Sequence, residues 1–169
     1  MERREVQNNI NEVNNRYAQQ STGTALKLDT VFASAKRIVP FSFSAASLAA
    51  DTKSMVLEMV PFAQKANRIY IRGRTDSTGT AEMNRTLAMS RAVSVTSTLL
   101  AGGVPKEKVK TTYCTTCYAA SNSTEEGRRA NRRVEIVMVM PAPLAAKFAD
   151  PTLGAQPTLI ASKTLPHNL

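Results

Sequence analysis

The sequence predicts a mixed α/β domain whose elements run strand, helix, strand, helix, strand, strand. Three observations carry this. Ile69 and Ile71 alternate with polar residues up to a Gly-framed turn, a long helix-patterned segment with clear start and stop signals follows it, and residues 134–140 form a strongly apolar closing run. At 169 residues the chain has room for one ordinary domain with a core, plus tails.

Residues 1–25 are polar, yet Val6, Ile10, Val13 and Tyr17 recur at helical spacing. With barely two heptads the segment is expected as a solvated helical or flexible linker rather than a coiled-coil stub. Across 26–43, apolar residues such as Leu26, Leu28, Val31, Phe32, Ile38 and Val39 suggest one or two strands, and alternating Phe41-Ser42-Phe43-Ser44 reads as a sheet member. Residues 44–67 place Leu48, Val56, Met59, Val60 and Ala63 at helical intervals, with Ser44 or Ser47 as cap and Pro61 as a kink.

Residues 68–73 read as a strand. Thr80 then opens a helix whose apolar face is Met83, Leu87, Val95 and Leu99, flanked by Ala88 and Ala92 and stopped by Gly102-Gly103 before Pro105. A short strand at 109–113, a loop at 114–124 and one helical turn at 125–130 precede the closing strand. Beyond it Pro141, Pro143, Pro151, Pro157 and Pro166 predict a largely extended tail over 141–169, with weak helix around 144–148. The folded domain is therefore expected over 26–140.

A formal charge of +9 favours an anionic partner. Nucleic acid is disfavoured, because the chain is 5% aromatic, has no Trp and lacks an aromatic reading strand. No run of 18 apolar residues exists to span a bilayer. The first residues lack the apolar core of a secretory signal, so any export is expected to be encoded outside this chain, and a cytoplasmic home stays formally open. No nucleophile–base pair, metal cluster or phosphate cradle is visible, so neither catalysis nor a cofactor is expected.

The polar turn carries one acid, Asp76, and the helix after it carries Arg91. An acid and a base near one strand end suit a zwitterion. A lone Asp in such a turn is more often a turn former, and a lone Arg a surface ion pair. Spacing alone also keeps them apart: a helix starting near Thr80 puts Arg91 about 16 Å along its axis.

Four ordered blocks change that weighting. Gly73-Arg74-Thr75-Asp76-Ser77-Thr78-Gly79, then Asn84 with Leu87, Arg91, Ala92 and Val95, then Gly102-Gly103-Val104-Pro105, then Gly127-Arg128 with Asn131-Arg132-Arg133-Val134-Glu135 closely resemble the OmpA-like peptidoglycan-binding domain family, of the OmpA C-terminal, MotB and Pal type. The resemblance runs from about 38 to 140. It implies a βαβαββ α+β sandwich, a mixed sheet with helices on one face. It also implies a loop that folds back beside the helix and binding of the diaminopimelate of the peptidoglycan stem peptide, with Asp76 taking the ammonium and Arg91 the carboxylate. Amides at the N-terminus of the following helix would add donors to that carboxylate. Thr75 and Asn84 match positions that shape or line the pocket, and Leu87 one that holds the helix to the core. Of Arg132 and Arg133, strand alternation sends at most one toward the ligand. This sequence departs from the pattern at Arg74 (usually His or Tyr), Met83 (usually Tyr), Ala88 (usually Ser) and 113–118, where Tyr113-Cys114 and Cys117-Tyr118 replace a Gly- and Pro-containing turn.

The resemblance implies a wall-anchoring, non-enzymatic module of the periplasm or cell envelope, with outer-membrane association as one option and peptidoglycan and other envelope proteins as partners. One alternative is a component of a secretion, conjugation or motor complex that uses the fold for protein contacts. Another is a thiol redox protein working through Cys114 and Cys117. That pair supports three readings: a local disulfide in an oxidising compartment, a redox-active dithiol, or half of a metal site, the last being poorly supplied since the single His lies in the tail.

Overall fold

The computed structural model describes residues 2–20 and 31–149, without the side chains of 17–20. In chain order the elements are α1 (Glu2–Gln20), β1 (Phe32–Pro40), α2 (Ala50–Glu58), α3 (Val60–Lys65), β2 (Arg68–Arg74), α4 (Ala81–Ala101), a 3-10 turn at Lys106–Lys108, β3 (Val109–Cys114), α5 (Glu125–Asn131), β4 (Arg133–Pro141) and α6 (Ala142–Ala149). The strands form one mixed sheet in the order β1-β4-β2-β3. β4 runs antiparallel to both neighbours, and β2 pairs parallel with β3 through the α4 crossover.

Alternation along the strands divides the side chains between two faces. On one face Val39, Ile69, Ile71, Val134, Ile136 and Met138 pack against α2, α4 and α6. Helix α4 lies unusually close because Gly73 has no side chain: a Cβ there would sit 1.9 Å from the Ala88 carbonyl oxygen. The buried face of α4 is Asn84, Ala88, Arg91, Ala92, Val95 and Leu99. Met83 and Leu87 do not belong to it. Met83 is exposed and Leu87 only half-buried, since small Ala88 and Ala92 bring the helix down and turn its first turns toward a cavity.

Three expectations are corrected. First, the helices are not confined to one face. Helix α1 is no solvated linker: Val6 and Val13, two turns apart on one stripe, are buried with Phe32, Tyr70, Val137 and Val139 on the opposite face of the sheet, where an apolar patch needs cover. Tyr17, Leu26 and Leu28 lie outside what is described.

Second, the alternating Phe41–Ser44 piece is not a strand. β1 is Phe32–Pro40; beyond it the Phe41 amide donates to the Arg132 carbonyl (2.9 Å) and Ser44 takes φ 59°. Neither Ser44 nor Ser47 caps the next helix, which starts after Ala49 with Asp51 accepting from the Thr52 amide. Its break at Met59, with Pro61 in the first turn of α3, follows from the prolyl ring.

Third, the tail is not extended at its start: the helix expected as weak around 144–148 is a packed element, α6, over Ala142–Ala149. Pro143 falls in the first turn of α6, where its missing N–H costs nothing. Phe148 is wholly buried, its ring 5.6 Å from that of Phe62, and the Arg37 guanidinium stacks on both. The rest of the tail lies outside the described residues. Among those, no helix is long and apolar enough to cross a membrane.

Candidate functional site

Strand β2 ends at Arg74, and residues 75–80 form the polar turn into α4, with Gly79 at φ 90° and the Thr80 hydroxyl accepting from the Met83 amide. Six residues of extended chain reach roughly 20 Å, enough to climb from mid-helix level to the helix start. This resolves the 16 Å offset. The end of β2 runs beside the middle of α4, where the Arg74 carbonyl accepts from Arg91 (3.1 Å).

Asp76 is buried, and both its oxygens are engaged. Oδ1 accepts from the Thr78 amide (2.9 Å) and Oδ2 from Arg132 Nη1 (3.0 Å). Burial raises its pKa, but the Thr78 N–H and the Arg132 bond and charge outweigh this and hold it below the ordinary 3.8. It is both a turn former and an ionised acid.

Arg91 is fully buried. Its Nε donates to the Ala45 carbonyl (2.8 Å), Nη1 to Arg74 (3.1 Å) and Nη2 to Ser42 (3.1 Å), and its guanidinium stacks over Phe41 at 5.4 Å. Burial pulls its pKa down to about 10, with Asp76 opposing and Arg132 adding to the fall, so it stays cationic at neutral pH. This arginine clasps the 42–45 loop to the end of β2.

Asp76 and Arg91 share a cavity of about 510 Å³. Asn84 and Arg132 also line it, and Phe43, Met83 and Leu87 supply apolar wall. Arg132 bridges Asp76 and Glu125 (2.7 Å) and stacks over Phe43 at 5.8 Å. Leu87 thus serves the cavity rather than the core. Thr75 is buried and is not part of the lining. Arg133 faces the other side of the sheet, as alternation requires, with its Nη2 donating to Cys117 O (3.3 Å) and its fork on Glu135.

Sequence reasoning missed what holds the turn. Asn131 is wholly buried; its Oδ1 accepts from the Ala119 and Ala120 amides (2.7 and 3.0 Å) and its Nδ2 donates to Asn122 Oδ1 (3.0 Å). Asn122 Oδ1 in turn accepts from the Ser77 amide (3.1 Å), one residue from Asp76. The only signal for Asn131 was its place in the fourth motif block. Thr124 caps α5 by accepting from the Gly127 amide (3.1 Å), and Arg132 closes that helix immediately before β4.

Cys114 and Cys117 are joined as a disulfide, with Cα atoms 5.6 Å apart, at the end of β3. Among the described residues no group of His, Cys, Asp and Glu is placed to hold a metal ion.

A mixed four-stranded sheet, with a buried acid in the turn after its central strand β2 and a helix-borne arginine beside it, defines the class as an α/β sandwich domain of the OmpA C-terminal type. The profile of the OmpA family matches residues 40–132, and the chain belongs to that family. It is 40% identical over 86 residues to the probable lipoprotein YiaD of Escherichia coli, covering 50% of this chain and 37% of that protein. It is 43% identical over 72 residues to the peptidoglycan-binding protein ArfA of Mycobacterium tuberculosis, covering 42% of this chain and 22% of that one. The chain thus spans well under half of either relative. The peptidoglycan-associated lipoprotein of Burkholderia pseudomallei superposes with a TM-score of 0.57 at 26% identity, covering 60% of this chain and 89% of that structure.

Proposed function

We propose that this domain binds peptidoglycan non-covalently through the diaminopimelate of the stem peptide and anchors an envelope protein or assembly to the bacterial cell wall, without catalysis. The observation that carries the reading is a buried, ionised Asp76 sharing one cavity with the cation of Arg91. The ligand's ammonium meets Asp76. Its carboxylate lies above Arg91, whose guanidinium has N–H groups beyond those spent on carbonyls. Asn84 and Arg132 flank it, while Thr75 shapes the turn from beneath. The ArfA and lipoprotein likenesses support the same reading and favour a periplasmic site of action.

Contact with one stem-peptide head group gives weak affinity, between about micromolar and millimolar. Retention then comes from many copies facing a repeating lattice.

The test is sedimentation with insoluble peptidoglycan. Wild-type protein is expected to co-sediment, free diaminopimelate to compete, and a lysine-type wall to bind less. Asp76→Ala should abolish co-sedimentation with an unchanged circular dichroism spectrum. Undiminished co-sedimentation of folded Asp76→Ala rejects the site, and equal binding to both walls removes the role given to Arg91.

A further inference from the structure

On the α1 side of the sheet, β2 and β4 present Arg72, Arg74 and Arg133, each at least nine-tenths buried. They line a second cavity, about 660 Å³, bounded by the disulfide, Tyr118 and Ala119 and lying on the opposite face from Asp76. Lys36 and Arg3 add exposed positive charge at its mouth. Among the described residues the acids in its lining are Glu2 and Glu135.

Those acids do not use up the arginines. Glu135 is taken by Arg133 through Nε (3.0 Å) and Nη2 (2.5 Å), with Arg74 farther off at 3.8 Å. Glu2 reaches in from the first turn of α1 to Arg72 (3.0 Å), Arg74 (2.9 Å) and the Thr112 hydroxyl (3.0 Å). Burial raises the Glu2 pKa, but Arg74, Arg72 and Thr112 outweigh it and lower the value overall. Arg72 Nη2 and Arg133 Nη1 remain buried without a hydrogen-bond partner among the described residues. Leaving guanidinium donors buried and unpaired is costly, and planar forks of this kind match oxyanions.

We propose that this cavity is a second binding site, for a multivalent oxyanion carrying phosphate or carboxylate groups, bound between Arg72 and Arg133 with Lys36 and Arg3 at the entrance. Glu2 shows the chemistry the site accepts, since a carboxylate already bridges two of its arginines and a threonine hydroxyl. The proposal stands independently of the peptidoglycan reading, because it shares no lining residue with the Asp76 cavity.

The experiment titrates the full chain with inorganic pyrophosphate and, separately, with citrate at constant ionic strength. Calorimetry measures affinity and backbone amide NMR shifts report the location. Saturable binding of at least one anion is expected, with the largest shifts at Arg72, Arg133 and Cys117. The stronger of the two names the preferred group. Arg133→Gln should weaken binding by about tenfold, the loss of one charge-assisted hydrogen bond. Should that variant fail to fold, the paired exposed changes Lys36→Gln and Arg3→Gln decide, with a weakening of about threefold expected from entrance charge. Asp76→Ala should leave the anion affinity unchanged. No saturable binding of either anion, or shifts confined to the Asp76 cavity, or full affinity in the charge variants overturns the proposal.

Discussion

The two ends of Arg-rich chemistry in this fold sit back to back across one sheet, and they are built differently. On the α4 side most of the charge is answered within the fold: Arg91 gives three N–H groups to backbone carbonyls, and Arg132 divides itself between Asp76 and Glu125 with Nε left buried and unpartnered among the described residues. On the α1 side, Arg72 and Arg133 keep buried nitrogens without hydrogen-bond partners among the described residues. The same residue type therefore does two jobs. Where its donors are satisfied by main chain it fixes geometry, and where they are not it leaves a field that an outside anion can answer.

The contrast breaks most visibly at Arg91. Arg91→Ala should cost at least about 3 kcal/mol in urea denaturation, because it orphans the carbonyls of Ser42, Ala45 and Arg74 and opens a hole beside Phe41. A loss near zero would make Arg91 a mere ligand contact rather than a clasp. On the other face, Val13→Ala should cost about 1 to 2 kcal/mol through lost burial against Tyr70, Val137 and Val139, with the peptidoglycan co-sedimentation intact. No change in stability would return α1 to the status of a solvated linker.

The smallest effect is expected from acid. Asp76 and Glu2, one on each face, both have folded pKa values below their ordinary 3.8 and 4.5. Their stabilisation is full above those ordinary values and is lost as pH falls through the depressed folded ones. Urea melts from neutral pH to about pH 3 should show this fall, and Asp76→Asn should flatten it more than Glu2→Gln, since Asp76 is the more buried of the two. Equal slopes in all three proteins would mean that neither carboxylate is held by its arginines.

Much of this was legible in the chain. β2, α4 and β4 carry unambiguous period and boundary signals, and the motif blocks marked Asp76, Asn84 and Arg91 as neighbours across one cavity. What escaped depends on tertiary partners. Phe41-Ser42-Phe43-Ser44 has strand periodicity, but its backbone is diverted by the Arg132 carbonyl and its carbonyl at Ser42 goes to Arg91. No local pattern announces that. Helix α6 was foreseen only as weak helix because prolines surround it, Pro143 in fact occupying its tolerant first turn, and the polar composition of α1 gave no sign that its spaced valines would be buried. Alternation foretold that Arg132 and Arg133 part company; assigning Arg132 to Asp76 took the register that sets Arg133 opposite Pro40.

The strand order also leaves β1 and β3 at the margins of the sheet, where bare amides and carbonyls invite edge-to-edge association between molecules. β1 bears Lys36 and Arg37 and closes on Pro40, and β3 is cut off after six residues by the Cys114–Cys117 link. Lysine on β1, a proline at its end and an early stop to β3 are the kinds of device that work against edge-to-edge pairing of copies.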